Sequence, residues 1–148
     1  MTADLQQNHA LNALLQSLGR SLLQYVGECW PWSADDRASD ADKVKELVTR
    51  QQDDVGQLAH LLKSRGWTID FGMYPVEYTD LHYVSLDFLL GQLAANARSI
   101  SENAERVATE CVDDHEAGVL LERIVTHSQD TANQLEQICR VRARVQPA

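Results

Sequence analysis

Three of the chain's five histidines, His9, His60 and His82, fall at one depth if its helices alternate in direction, with Asp80 and Glu136 close to the same level. Imidazole nitrogens beside carboxylate oxygens would suit zinc or iron. The helical phase works against that chemistry. His9 and His60 lie outside the apolar stripes and His82 at a flank, where solvated imidazoles are the ordinary outcome. His127 is another flank residue to which the pattern assigns no role. Gln51 on one stripe faces Ser128 and Thr131 on another near the middle, with Asp54 the only ionisable neighbour. Such a layer is either a small ligand pocket or a hydrogen-bonded register device. No nucleophile triad, phosphate loop, zinc knuckle or EF-hand spacing accompanies these groups.

A third candidate is aromatic. Six of the nine aromatic residues occupy the stretch from Trp67 to Phe88. Trp67, Phe71 and Tyr74 form a turn that either closes one end of the molecule or presents a partner surface. A fourth is electrostatic. Residues 28–46 and 102–116 hold twelve carboxylates, among them Asp113, Asp114 and Glu116, against four basic side chains. With alternating helices they would gather into one acidic pole, a second candidate partner surface or a cluster of helix N-terminal acids.

Four long helices are needed to position these groups. Leu11, Leu15, Leu18, Leu22, Tyr25 and Cys29 repeat in steps of four and three, so a first helix spans about residues 3–28 and ends before Pro31. A second, about 39–65, opens on Ser39 with Asp42 and stops at Gly66 in a C-cap position. A third, about 76–110, follows Pro75 and carries Tyr83, Leu86, Leu90, Leu93, Ala97 and Ile100. The fourth, about 114–144, opens on an Asp113–Glu116 capping box and ends among Arg140, Arg142 and Arg144. At the usual rise these are about 38–52 Å long. The link from Gly66 to Pro75 reaches at most about 33 Å, which favours an antiparallel, up-down-up-down four-helix bundle in a single domain, residues 1–148.

That architecture resembles the ferritin-like superfamily. The resemblance implies a glutamate on each of two helices and a Glu-x-x-His pair on each of the others, holding two metal ions. Here Gln57 stands where the first pair needs glutamate before His60, and Ile124 stands before His127. Glu28 is at a helix end, and the third helix has only Glu77, Asp80 and Asp87 near its start. The resemblance therefore extends to the architecture and stops short of the ligand set.

Bulk properties narrow the remaining classes. At 148 residues, 44% apolar and 24% charged, the composition is that of a folded domain. A net charge of −9 disfavours nucleic acid and anionic membrane surfaces as partners. Cys29, Cys111 and Cys139 show no paired spacing, which fits a reducing cytosol, and neither a signal peptide nor an apolar membrane span is visible. The expectation is a non-catalytic cytoplasmic module, binding a protein partner or itself and needing no cofactor. The alternative is a divergent ferritin-like protein holding iron or zinc through His9, His60, His82, Asp80 and Glu136.

Overall fold

The computed structural model describes residues 2–31, 38–81 and 84–145, and side chains from 5 to 143 within them. Helix α1 is Thr2–Gly19, α2 Leu22–Glu28, α3 Ala38–Ser64, α4 Leu86–Glu110 and α5 His115–Val145; a 3-10 helix spans Val76–Leu81. The described residues contain no strand, so the all-α expectation holds. None of these helices is long and apolar enough to cross a membrane.

The first predicted helix is broken in two. Ser21 adopts an extended backbone and its hydroxyl caps α2 by accepting from the Gln24 N–H. The Leu22 N–H, freed by the break, donates to Asn96 Oδ1 at 3.1 Å. At the end of α3, Gly66 takes a left-handed backbone, φ 71°. The Gly66 N–H bonds the Lys63 carbonyl and the Trp67 N–H bonds that of Leu62, closing the C-terminus where the sequence placed it.

Side-chain pairings fix the helix directions. Arg65, just past the end of α3, meets Asn8 near the start of α1, while Gln24 of α2 reaches the Val48 carbonyl, so α3 runs against α1–α2. Along α5, Asp114 pairs with Arg65, His127 with Asp54 and Arg142 with Asp40, so α5 also opposes α3. The short turn at 111–114 and the Arg98–Glu136 pair set α4 against α5. Helices α3 and α4 therefore run the same way. The up-down-up-down order built on a short link is replaced by a long crossover, because α4 starts at Leu86 behind its Ser85 cap and not at Pro75. Twenty-one residues, 65–85, were available where ten had been counted.

The core lies in two apolar clusters. Near Arg142, Leu22, Leu23 and Val26 pack with Leu47, Leu89, Leu93 and Leu135. Near Arg65, Leu11, Leu15, Leu58 and Leu62 pack with Ala104, Val107 and Leu121. The crossover travels between these ends along the outside of α1. Because it forms no ladder of its own, its backbone groups need other partners. Asn12 supplies two of them and one side-chain contact: Nδ2 donates to the Asp70 carbonyl at 2.9 Å, and Oδ1 accepts from the Asp70 N–H and the Trp67 indole. Gln16 donates to the same carbonyl, Arg20 to that of Gly72, and the Tyr74 hydroxyl to Glu28. Gly72, at φ 72°, makes the bend that this path requires.

Asn12 is 7% exposed, and its loss leaves the part-buried Asp70 N–H and Trp67 indole N–H without this acceptor. Asn12→Ala is expected to lower stability by about 2–3 kcal/mol. Hydrogen exchange should rise across residues 67–74 and stay unchanged in α5. Equal acceleration in both regions would mean the asparagine is not a crossover clamp.

Candidate functional site

Between the two apolar clusters lies the polar layer foreseen at Gln51, Ser128 and Thr131, all buried. It is larger than the sequence suggested. Gln51 Oε1 accepts from the Ser21 hydroxyl at 2.7 Å and from Gln24 Nε2 at 2.9 Å, tying the break in the first helix to α3. One residue earlier on α3, Arg50 donates to Thr131 Oγ1 at 2.8 Å, to the His127 carbonyl and to Asp130. Asp54, only 2% exposed, lies 2.9 and 3.1 Å from His127 Nδ1 through its two oxygens. Burial raises the Asp54 carboxyl above its ordinary 3.8, with the His127 hydrogen bond pulling in the opposite direction.

This is the arrangement of an acid–base pair, but the space beside it is small. The cavity lined by Leu18, Arg50, Asp54, Ile100, His127 and Thr131 measures about 10 Å³, room for one water molecule. A substrate would need tens of times that volume. The layer is therefore a hydrogen-bonded packing feature that locks the register of α2, α3 and α5. Sequence reasoning reached Gln51, Ser128, Thr131 and Asp54. Ser21, Gln24, Arg50 and His127 were missed, because Ser21 and Gln24 face inward only once the first helix breaks. Arg50 and His127 are flank residues whose long side chains reach the layer from outside.

The residues proposed for a metal are placed apart. His9 and His60 belong to the Arg65 end, with the His9 ring edge-on to Trp67 at 4.8 Å. Asp80 lies on the 3-10 helix and Glu136 on α5, both beside the other apolar cluster. Both Glu136 oxygens accept from Arg98, at 3.0 and 2.9 Å. His82 lies outside the described residues. Among those described, no three His, Cys, Asp or Glu side chains converge as metal ligands. Of the cysteines, Cys111 is buried and its thiol is pushed up to about 11 by that burial, away from thiolate reactivity.

The crossover also divides the acidic pole. Because α4 runs with α3, residues 102–110 and 113–116 lie at the Arg65 end, while Asp40, Asp42 and Glu46 lie at the Arg142 end. Asp114 is not free for a partner. Its two oxygens accept from Arg65 at 2.7 Å each, and Oδ1 caps α5 at the Ala117 N–H, the role expected of Asp113. Glu116 also meets Arg65. Exposed Asp113 and Glu116 line an open, polar depression of about 520 Å³ with Gln7, Asn8 and His115.

The aromatic turn is neither a plug nor wholly buried. Trp67 and Tyr78 pack against the two clusters. Tyr74 leans on Tyr25 and Tyr78 beneath the Arg20 guanidinium, and burial with the Glu28 hydrogen bond pushes its hydroxyl up to about 12. Phe71, Met73 and Val76 instead face solvent, 49%, 89% and 81% exposed. Phe71 borders a depression of about 120 Å³ formed with Gly19, Arg20, Gln24, Gln52 and Val55.

Comparison with protein-family models, with curated proteins and with solved structures finds no match to this chain.

Asp54 and Asp114 should give opposite pH signatures. The raised carboxyl of Asp54 contributes stability below 3.8 that is lost as pH rises through its folded value. The Arg65 hydrogen bonds lower Asp114, so its contribution is present above 3.8 and lost as pH falls through its folded value. In urea titrations against pH, Asp54→Asn should gain on the wild type as the pH rises above 3.8, whereas Asp114→Asn should lose ground as the pH rises toward 3.8 from below and keep a constant deficit beyond it. Parallel curves for wild type and Asp54→Asn would show that the buried carboxyl is not desolvated.

Proposed function

We propose that the chain is a non-catalytic, cytoplasmic helical module that docks another macromolecule through the outer face of its crossover. The observation carrying this reading is the exposure of Phe71, Met73 and Val76 on a segment whose backbone is pinned to α1. Singly exposed apolar residues are ordinary, but three within six positions on a clamped connection form a pre-organised patch. The negligible cavity at the Asp54–His127 pair supports a role outside the core. In the same reading the bundle is ferritin-like: one long crossover joins two antiparallel helix pairs, with packing side chains at mid-bundle where that superfamily holds metal. The negative charge favours a protein partner over nucleic acid or an anionic membrane.

Sedimentation velocity and affinity capture should be run on wild type and on Met73→Ser/Val76→Ser. At least one stoichiometric association, with another protein or a second copy, is expected in the wild type and lost in the variant at unchanged Tm. Associations indifferent to the substitutions would overturn the reading. So would near-stoichiometric iron or zinc in protein prepared without chelator.

A further inference from the structure

The chemistry around the exposed patch says what kind of partner it fits. Between Arg65 and Arg98 the chain carries no lysine or arginine and four carboxylates, Asp70, Glu77, Asp80 and Asp87. Asp87 is taken by Arg142 at the far end of α5. The other three lie along the crossover, and all are exposed. Arg20 reaches the same segment, but its Nε donates to the Gly72 carbonyl and its guanidinium covers the Tyr74 ring. Phe71, Met73 and Val76 thus sit among carboxylates whose charge no lysine or arginine of the same segment offsets.

Resting on the docking function proposed above, we infer that this face takes a basic amphipathic segment of another protein, such as a helix with lysine or arginine flanking an apolar stripe. Apolar residues of the partner would cover Met73 and Val76, and its cations would meet Asp70, Glu77 and Asp80. Met73 suits this task, since its unbranched thioether adapts to differently shaped apolar neighbours. The depression beside Phe71, about 120 Å³, is of the size of one aliphatic side chain and gives the stripe an anchor point. Helix-in-groove docking with charged rims is a recurrent way of combining apolar contact with charge selection.

The same charges argue against the other occupants. A two-fold contact between copies through this face would set carboxylates against carboxylates on chains that each carry −9. An anionic membrane meets the same repulsion. A neutral or acidic peptide would cover the apolar residues and leave the carboxylates without counter-charge.

The test uses the full chain and a synthetic amphipathic helix of about 18 residues built from Leu and Lys, a length that supplies five turns. A second peptide carries Glu in place of Lys. Titration calorimetry would compare wild type, Met73→Ser/Val76→Ser, Glu77→Lys/Asp80→Lys, and a control, Glu102→Lys/Glu122→Lys, with the same change in net charge but off the crossover. The Lys peptide is expected to bind the wild type and to weaken at high salt. Each crossover variant should reduce that affinity by about tenfold or more, and the control by no more than about threefold. Circular dichroism confirms that each variant is folded.

Equal losses in the control and in Glu77→Lys/Asp80→Lys would reduce the effect to general charge attraction and overturn the inference. No binding of the Lys peptide, or equal binding of the Glu peptide, would also overturn it. These failures leave the docking reading intact if Met73→Ser/Val76→Ser still abolishes a native association. A self-association broken by that variant would replace the basic partner with a second copy.

Discussion

A long connection with little regular structure of its own cannot lie on a protein surface unless something takes its peptide groups. Here that task falls to one face of α1, and above all to Asn12. Its single amide both donates to and accepts from Asp70, and also accepts the Trp67 indole. Gln16 and Arg20 extend the same row at helical spacing, so the outside of α1 is a template for the crossover's path. The direction of α4 follows from this path. If the crossover were not carried from the Arg65 end to the Arg142 end, α4 would have to start beside Arg65 and run the other way.

From that direction come the charge pairs. Arg65 clamps Asp114 at one end, Arg98 clamps Glu136 midway toward the other, and Arg142 is closed in by Asp40 and Asp87 from two further helices. The contacts of Arg65 and Arg142 require α3 and α4 to run the same way, whereas the Arg98–Glu136 pair closes the α4–α5 hairpin. Burial makes them unequal. The Arg65–Asp114 and Arg142–Asp40 pairs are mostly withdrawn from water, where a missing partner is costly, whereas the Arg98–Glu136 pair is more than a third exposed and contributes little. The central polar layer complements them by setting register rather than direction, since Gln51, Arg50 and Asp54 find partners only at one axial alignment.

The helices were legible because their signals are local. Leucine spacing, the Gly66 stop and the arginine-rich end of the last helix are written within a few residues of where they act. Topology was not, and a single misplaced start explains the error. The apolar run beginning at Val84 and Pro75's suitability for a first turn made one helix of what is a 3-10 turn, a Ser85 cap and α4. Halving the link then reversed α4, which gathered the acids into one pole and placed His9 level with Glu136. The break at Ser21 was equally hidden, because the leucines on both sides keep a helical rhythm while the cap depends on a serine like any other. Side chains such as Asn12 carry no sequence signal at all. An asparagine on an apolar stripe acquires meaning only when a distant strand of chain is laid against it.

These constraints also bear on where function resides. Buried amides, hydroxyls and carboxylates pair across helices, although Arg50 Nε is buried without a partner, and the space beside Asp54 and His127 holds no more than a water. An interior so closed has little capacity to admit a ligand without breaking register. The crossover is treated in the opposite way. Its inner edge is bonded to α1 while Met73 and Val76 are left in water, although a connection of this length has many ways to turn small apolar side chains inward. In the docking role proposed for it, holding the segment rigid would lower the ordering entropy that a partner must overcome. The carboxylates on that segment have no lysine or arginine neighbours along it, which under the same proposal would add an electrostatic preference to the apolar one.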